Sequence, residues 1–328
     1  MLVVKNFYKI LLTAVLICSV KFLSAQSIEE ARDLYNQGGQ ATTDGDLVTA
    51  IQNFEECITM CETLYEEEED VDAEELLMQV QKSMPILYWQ VCQSKVKEKD
   101  YKSSLEYALK AKEAANAVVD EAIASKASAM ASKLYYSFGL SSYKTKTYDK
   151  ALANLDKSIN ESATNFTAHL LKVVIFKETQ NEESLIAATK AVMAVPGDDE
   201  NKDKAISLTS NYFYNEGVKA KQASDYSKAI KDIQTSFEFN PENADAYYLL
   251  ASIYNSQENW DKAIATANEG LKYEESSAEA KARFYYELGN AYLGKGDNAN
   301  ACDAYSKSAF GVYSENAAYQ MNEVLKCN

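Results

Sequence analysis

Residues 285–305 read YYELGNAYLGKGDNANACDAY. Tyr285, Leu288, Gly289 and Tyr292 recur at three- and four-residue steps, which places them on one face of a helix. A polar break follows, and Ala301 and Tyr305 mark a second helix. The stretch upstream repeats the phrase with Tyr247, Leu250, Ala251, Tyr254 and then Ala263. The one before it has Phe213, Gly217, Ala229, Ile233 and Pro241. From Phe213 to Tyr247 is 34 residues. Each copy predicts two short amphipathic helices folded into a hairpin. Gly139, Gly217, Ala251 and Gly289 fill a small slot in the first helix, and twelve residues later Ala151, Ala229, Ala263 and Ala301 fill another. Small residues facing each other allow close helix approach. The joining turns share a pattern: Asp225-Tyr226-Ser227-Lys228-Ala229, Thr147-Tyr148-Asp149-Lys150-Ala151 and Asn259-Trp260-Asp261-Lys262-Ala263. The Asp, Thr or Asn that opens each is an expected N-cap of the second helix.

Weaker copies extend the rhythm toward the N-terminus. One carries Tyr135, Phe138, Gly139 and Ala151, and the next, over 166–196, has His169 in the aromatic slot. The second copy has Tyr88, Cys92, Tyr101 and Leu105, and the first has Leu34, Gly38, Ala50, Phe54 and Cys57, with Asp46 at the turn. Stretches 66–75 and 116–131 read as insertions between copies. Pro85 is expected to open a helix, and Pro196 and Pro241 to lie in breaks. Residues 315–326 read as a lone helix that caps the stack.

This pattern resembles the tetratricopeptide repeat (TPR) family over roughly residues 28–327, with Tyr or Phe where that family often has Trp. The resemblance implies an all-α fold, a right-handed superhelical solenoid of about seven TPR-like helical hairpins with a C-terminal capping helix. The chain divides into a signal peptide (1–25), divergent repeats with an acidic insertion (26–131), central repeats (132–209), and C-terminal repeats with the cap (210–328).

Composition narrows the function. Of 328 residues, 33 are Lys or Arg and 49 are Asp or Glu. Lys5 and Lys9 precede an apolar run from Ile10 to Val20, and Leu23-Ser24-Ala25 offers a cleavage site before Gln26. The run is short for a membrane span. Removing the leader takes away three Lys and no acid, leaving 33 − 3 = 30 basic against 49 acidic residues, about −19. Such a chain lacks the basic patches that nucleic acids and anionic lipid surfaces require. Export makes disulfides accessible. Cys302, early in the last second helix, and Cys327, at the end of an antiparallel cap, are one candidate pair. Cys57 and Cys92, on helices expected to pack together, are another, with Cys61 left over. The alternative is that these cysteines are small buried apolar residues.

Catalytic inventory is thin. His169 is the single histidine and is expected to pack inside, so no Ser-His-Asp arrangement assembles. Gly38-Gly39 and the Gly294/Gly296 pair read as helix ends or turns rather than a phosphate loop. No Cys-x-x-Cys motif or other metal-ligand spacing occurs, and the acidic run from Glu66 to Asp70 reads as a solvated helix end. No cofactor is implied.

The resemblance also implies where a partner would lie. In TPR proteins the residue after the packing aromatic of the first helix faces the concave side. Here these are Tyr35, Trp89, Tyr136, Leu170, Tyr214, Tyr248 and Tyr286, six of them Tyr or Trp. This aromatic row suits a peptide or protein ligand; alternatively the rings stack on one another and fill the interior. The Lys/Asn/Arg carboxylate clamp of some family members is not matched, and Lys144, Lys177 and Lys221 are expected at the solvated rim. Three functions stay open: an exported non-enzymatic scaffold binding a peptide or protein, a structural subunit of a cell-envelope complex, and a glycan-binding solenoid.

Overall fold

A computed structural model describes residues 27–327; the expected leader and its cleavage point before Gln26 lie outside them. Among the described residues the chain is all-α, with no strand. Seven antiparallel pairs follow in order: α1 (Ile28–Asp44) with α2 (Leu47–Glu68), α3 (Val71–Lys97) with α4 (Tyr101–Ala117), α5 (Glu121–Lys144) with α6 (Tyr148–Glu161), α7 (Phe166–Glu178) with α8 (Glu182–Ala194), α9 (Asp199–Gln222) with α10 (Tyr226–Phe239), α11 (Ala244–Ser256) with α12 (Trp260–Tyr273), and α13 (Ala278–Lys295) with α14 (Asn298–Ser308). The chain forms two compact units, the first ending at Ala168 and the second beginning at His169, so the division falls inside α7.

Within each unit the second helix of a pair packs on the first helix of the next. This holds for α2 on α3 and α4 on α5, and for α8 on α9, α10 on α11 and α12 on α13. First helices of consecutive pairs also touch: α1 with α3, α3 with α5, α9 with α11, and α11 with α13. An amphipathic helix buries too little alone, and stacking makes a continuous core.

The glycine slot sets how close each pair comes. A Cβ placed on Gly38, Gly139, Gly217 or Gly289 would lie 2.6–3.0 Å from the side chain of Phe54, Leu155, Ile233 or Tyr305, each sixteen residues later. Beside Gly139 and Gly217 the carbonyls of Ala151 and Ala229 lie 3.3 Å from the same point, so the two small slots do face each other. Gly38 and Gly39 are therefore mid-helix, as is Gly294, and of these four glycines only Gly296 ends a helix, at φ 78°. A second register recurs at a spacing of 26. Ser158 Oγ donates to the Ser132 carbonyl at 2.8 Å, Ser236 Oγ to that of Ser210 at 2.9 Å, and Cys57 Sγ to that of Ala31 at 3.2 Å.

The turns within pairs are two or three residues long and share one conformation. A left-handed residue ends the first helix, and the next residue caps the second. The pairs are Gly45 and Asp46, Lys99 and Asp100, Ser224 and Asp225, and Gly296 and Asp297. The amide of the capping residue reaches back five residues, as Asp225 N does to the Ala220 carbonyl at 2.9 Å, which closes a Schellman turn. Asp225 accepts from the Lys228 amide at 3.0 Å. Thr147 and Asn259 occupy the same position without a side-chain cap bond; the Thr147 hydroxyl pairs with that of Thr145 instead, at 3.1 Å. Val119, before the cap Asp120, is a β-branched residue held at φ 60°, a conformation costly for its side chain.

Two expectations change, and the stretches 66–75 and 116–131 are helical on either side of a turn, since neither contains a breaker and both hold helix-forming Glu and Ala. Residues 66–68 end α2, Asp70 caps α3 by accepting from the Ala73 amide at 3.0 Å, and α5 starts at Glu121. Pro85 consequently lies inside α3 rather than at its start. Cys57 and Cys92 are not bonded: each is a free, buried thiol. Cys57 faces the Ala31 carbonyl of its own hairpin, and Cys92 faces Ser104 Oγ of α4 at 3.4 Å, so the two sulfurs point into different helix pairs. Cys61 is also free and buried.

The cap is composite. A 3-10 turn (Gly311–Tyr313) leads into α15 (Ser314–Tyr319), which ends in a π-helical turn (Gln320–Leu325). Ala317 is fully buried with Ala301 and Tyr305, and Met321 and Leu325 pack around them. Cys302 and Cys327 are joined by a disulfide, with Cα atoms 5.8 Å apart.

Candidate partner-binding site

All six aromatic residues singled out in the sequence lie on first helices: Tyr35 on α1, Trp89 on α3, Tyr136 on α5, Tyr214 on α9, Tyr248 on α11 and Tyr286 on α13. Each is partly buried. Among the described residues no two of the six rings touch each other. They lean on other residues instead: Tyr248 meets Phe284 of the next hairpin edge-on at 6.0 Å, and two others pack within their own hairpins. Tyr35 packs on Phe54 with centroids 5.8 Å apart, and Tyr286 packs on Tyr305 at 5.7 Å. Both partners come nineteen residues later, so the first and last hairpins use one register. Trp89 sits between two apolar clusters, one with Leu87 and Val91, the other with Leu105 and Ala131.

In the second unit, residues not foreseen from sequence complete the row. Tyr313, from the 3-10 turn, places its hydroxyl 3.2 Å from that of Tyr248 and its ring 5.2 Å from that of Tyr286. Arg283 lies with its guanidinium 5.3 Å from the Tyr248 ring and 5.1 Å from that of Phe284. It is held by Asp245 and Glu274, both at 2.5 Å. A cation fixed over an aromatic face by two carboxylates is a rigid element, since neither partner needs to move to satisfy it. One turn along, Lys221 donates to Ser252 Oγ at 2.7 Å, and Asn255 Nδ2 donates to Glu287 Oε2 at 2.6 Å. These bonds tie α9 to α11 and α11 to α13. Asn255 Oδ1 is buried without a hydrogen-bond partner.

Burial governs the ionisation of these groups. It raises the pKa of Tyr214, Tyr248 and Tyr286, so all three hydroxyls stay protonated at neutral pH. Burial also depresses the Lys221 ammonium. Lys221 is thus a partly buried group bonded to Ser252 and not a rim cation, whereas Lys144 is exposed. The Cys57 thiol is pushed up to about 12 by burial, and Cys92 is raised for the same reason, which leaves both poor nucleophiles. His169, expected inside, is only partly buried. Among the described residues no three His, Cys, Asp or Glu group as metal ligands, and no helix is long and apolar enough to cross a membrane.

The geometry is that of a helical-hairpin repeat protein presenting flat rings and protonated hydroxyls. Residues 220–283 and 282–309 match two family models described as tetratricopeptide repeat, so the hairpins from the end of α9 through α14 are repeats of that kind. No curated protein matches the chain by sequence. Among solved structures, a tetratricopeptide repeat protein from Parabacteroides merdae is 13% identical, covering 92% of this chain and 100% of its own, with a TM-score of 0.28. The TPR2AB domain of yeast Sti1, solved as a pHSP90 complex, is 15% identical, with coverages of 91% and 97% and a TM-score of 0.31. MamA from Desulfovibrio magneticus is 16% identical, with coverages of 54% and 92% and a TM-score of 0.30. Identities and TM-scores at this level transfer no function.

Proposed function

We propose that the chain is an exported, non-enzymatic interaction scaffold whose first helices present an aromatic-lined concave face to a peptide or protein partner. The carrying observation is that in the first unit Tyr35, Trp89 and Tyr136 lie on α1, α3 and α5, which touch in succession, and in the second unit Tyr214, Tyr248 and Tyr286 lie on α9, α11 and α13, which do the same. Each of the six is only partly buried, and Tyr and Trp give contact area at little cost in rotamer freedom. Partner capture by a chain carrying Tyr136→Ala and Tyr214→Ala is expected to fall at least tenfold with helicity unchanged. Undiminished capture would instead favour assembly through outer surfaces, as in a structural subunit.

Export to the periplasm or cell envelope, or secretion, is supported by the leader-like residues 5–25 and by the Cys302–Cys327 disulfide, a bond typical of oxidising compartments. Intact mass of the protein from its source cells is expected to begin at Gln26. A chain retaining Met1 would contradict this reading.

A further inference from the structure

A cleft of about 290 Å³ opens in the first unit between α2, α3 and α4. None of the row residues lines it. Its floor is apolar, with Ile58, Met84 and Ala114, and the Tyr88 ring borders one side. Two carboxylates, Glu55 and Glu62, stand at its walls. They lie seven residues apart on α2, hence about 10 Å along the helix. We propose that this cleft binds an aliphatic ammonium, the head of a lysine side chain or of a free alkylamine, with Glu62 as its counter-ion.

Three independent observations carry the assignment. First, the two carboxylates differ in what they already hold. Glu55 accepts the Tyr88 hydroxyl at 2.6 Å and Lys110 Nζ at 3.3 Å. Among the described residues no cation pairs with Glu62, though it is partly buried. Burial and the neighbouring Glu66 both penalise its charge, so an incoming cation relieves a cost already present. Second, the protein demonstrates the chemistry at the rim. Lys110 lays its ammonium 5.5 Å from the Tyr88 centroid and 5.8 Å from that of Tyr107 while meeting Glu55. The Glu62 end shares the cleft and its apolar lining with a carboxylate that no lysine among the described residues meets. Third, the apolar floor between the carboxylates matches a methylene chain, which lysine-like ligands lay along apolar surface while the head seeks charge. A simple inorganic cation would gain nothing from Ile58 and Met84.

The test uses the full mature chain and amide chemical shifts read against ligand concentration. The probes are Nα-acetyl-lysine methylamide for a peptide source and 1,5-diaminopentane for a free amine. Nα-acetyl-norleucine methylamide is the control without a charged head. At least one amine probe is expected to saturate, with shifts confined to α2 near 55–62, α3 near 81–88 and α4 near 114–118. Saturation by the lysine derivative alone identifies a peptide, and by the diamine alone a free amine. Glu62→Gln is expected to weaken binding about tenfold. Ala117→Leu, at the exposed mouth of the cleft, is expected to weaken it by filling the entrance, and provides a second readout should Glu62→Gln alter the fold. Absence of saturation by both amines would overturn the proposal. So would equal binding of the norleucine control, or shifts left unchanged by both substitutions.

Discussion

Phe284→Ala is expected to cost about 3–5 kcal/mol of unfolding free energy, the range for emptying a fully buried aromatic site. Phe284 is 0% exposed. Its ring fills the space that a side chain at position 270 would need, which Gly270 leaves open, and it meets Tyr248 edge-on at 6.0 Å. The guanidinium of Arg283 also lies over it. Removing the ring therefore hollows the junction of α12 with α13 and loosens the support of Tyr248. In stacked repeats stability is a sum of local and nearest-neighbour contributions. Amide exchange should rise in α11–α14 and stay unchanged in α1–α4. A loss under 1 kcal/mol in urea unfolding, or equal loss of protection in α1–α4, would show that the packing account is wrong.

Breaking the Cys302–Cys327 bond is the second large effect. The sequence separation is 25, and closing a loop of that size restricts the unfolded chain by roughly 3 kcal/mol. The bond also holds the cap where end fraying would begin. Cys302→Ser with Cys327→Ser, or reductant alone, should lower the unfolding midpoint, and α15 should exchange first. Cys57, Cys61 and Cys92 are already free thiols, so the effect of reductant isolates this one bond. An identical midpoint with and without reductant would contradict it.

The hairpins were legible because close packing leaves a local mark. Gly139 and Gly217 must be small, since Leu155 and Ile233 occupy their missing side-chain space, and that need repeats at fixed spacing. Helix length left no such mark. Nothing in 66–75 or 116–131 stops a helix except the local turn at Glu69 and Asp70 and that at Val119 and Asp120, so runs that looked inserted belong to α2, α3, α4 and α5. Pro85 costs α3 one backbone bond, which a helix of 27 residues with nine buried side chains tolerates. The site was half legible. The six aromatic residues follow from the repeat register. Tyr313 does not, because it belongs to a 3-10 turn outside any repeat and reaches Tyr248 only through tertiary folding. Arg283 was equally hidden: its partners Asp245 and Glu274 come from separate segments, and only the fold brings them to one guanidinium.

The most direct measurement is site-specific photo-crosslinking in the source cells, with the photoreactive residue placed in turn at Tyr136, Tyr214 and Lys231. Tyr136 and Tyr214 lie on first helices, whereas Lys231 is exposed on the second helix α10. A partner-binding inner face predicts one discrete adduct from Tyr136 or Tyr214 and none from Lys231. Adducts formed only from Lys231 would contradict it.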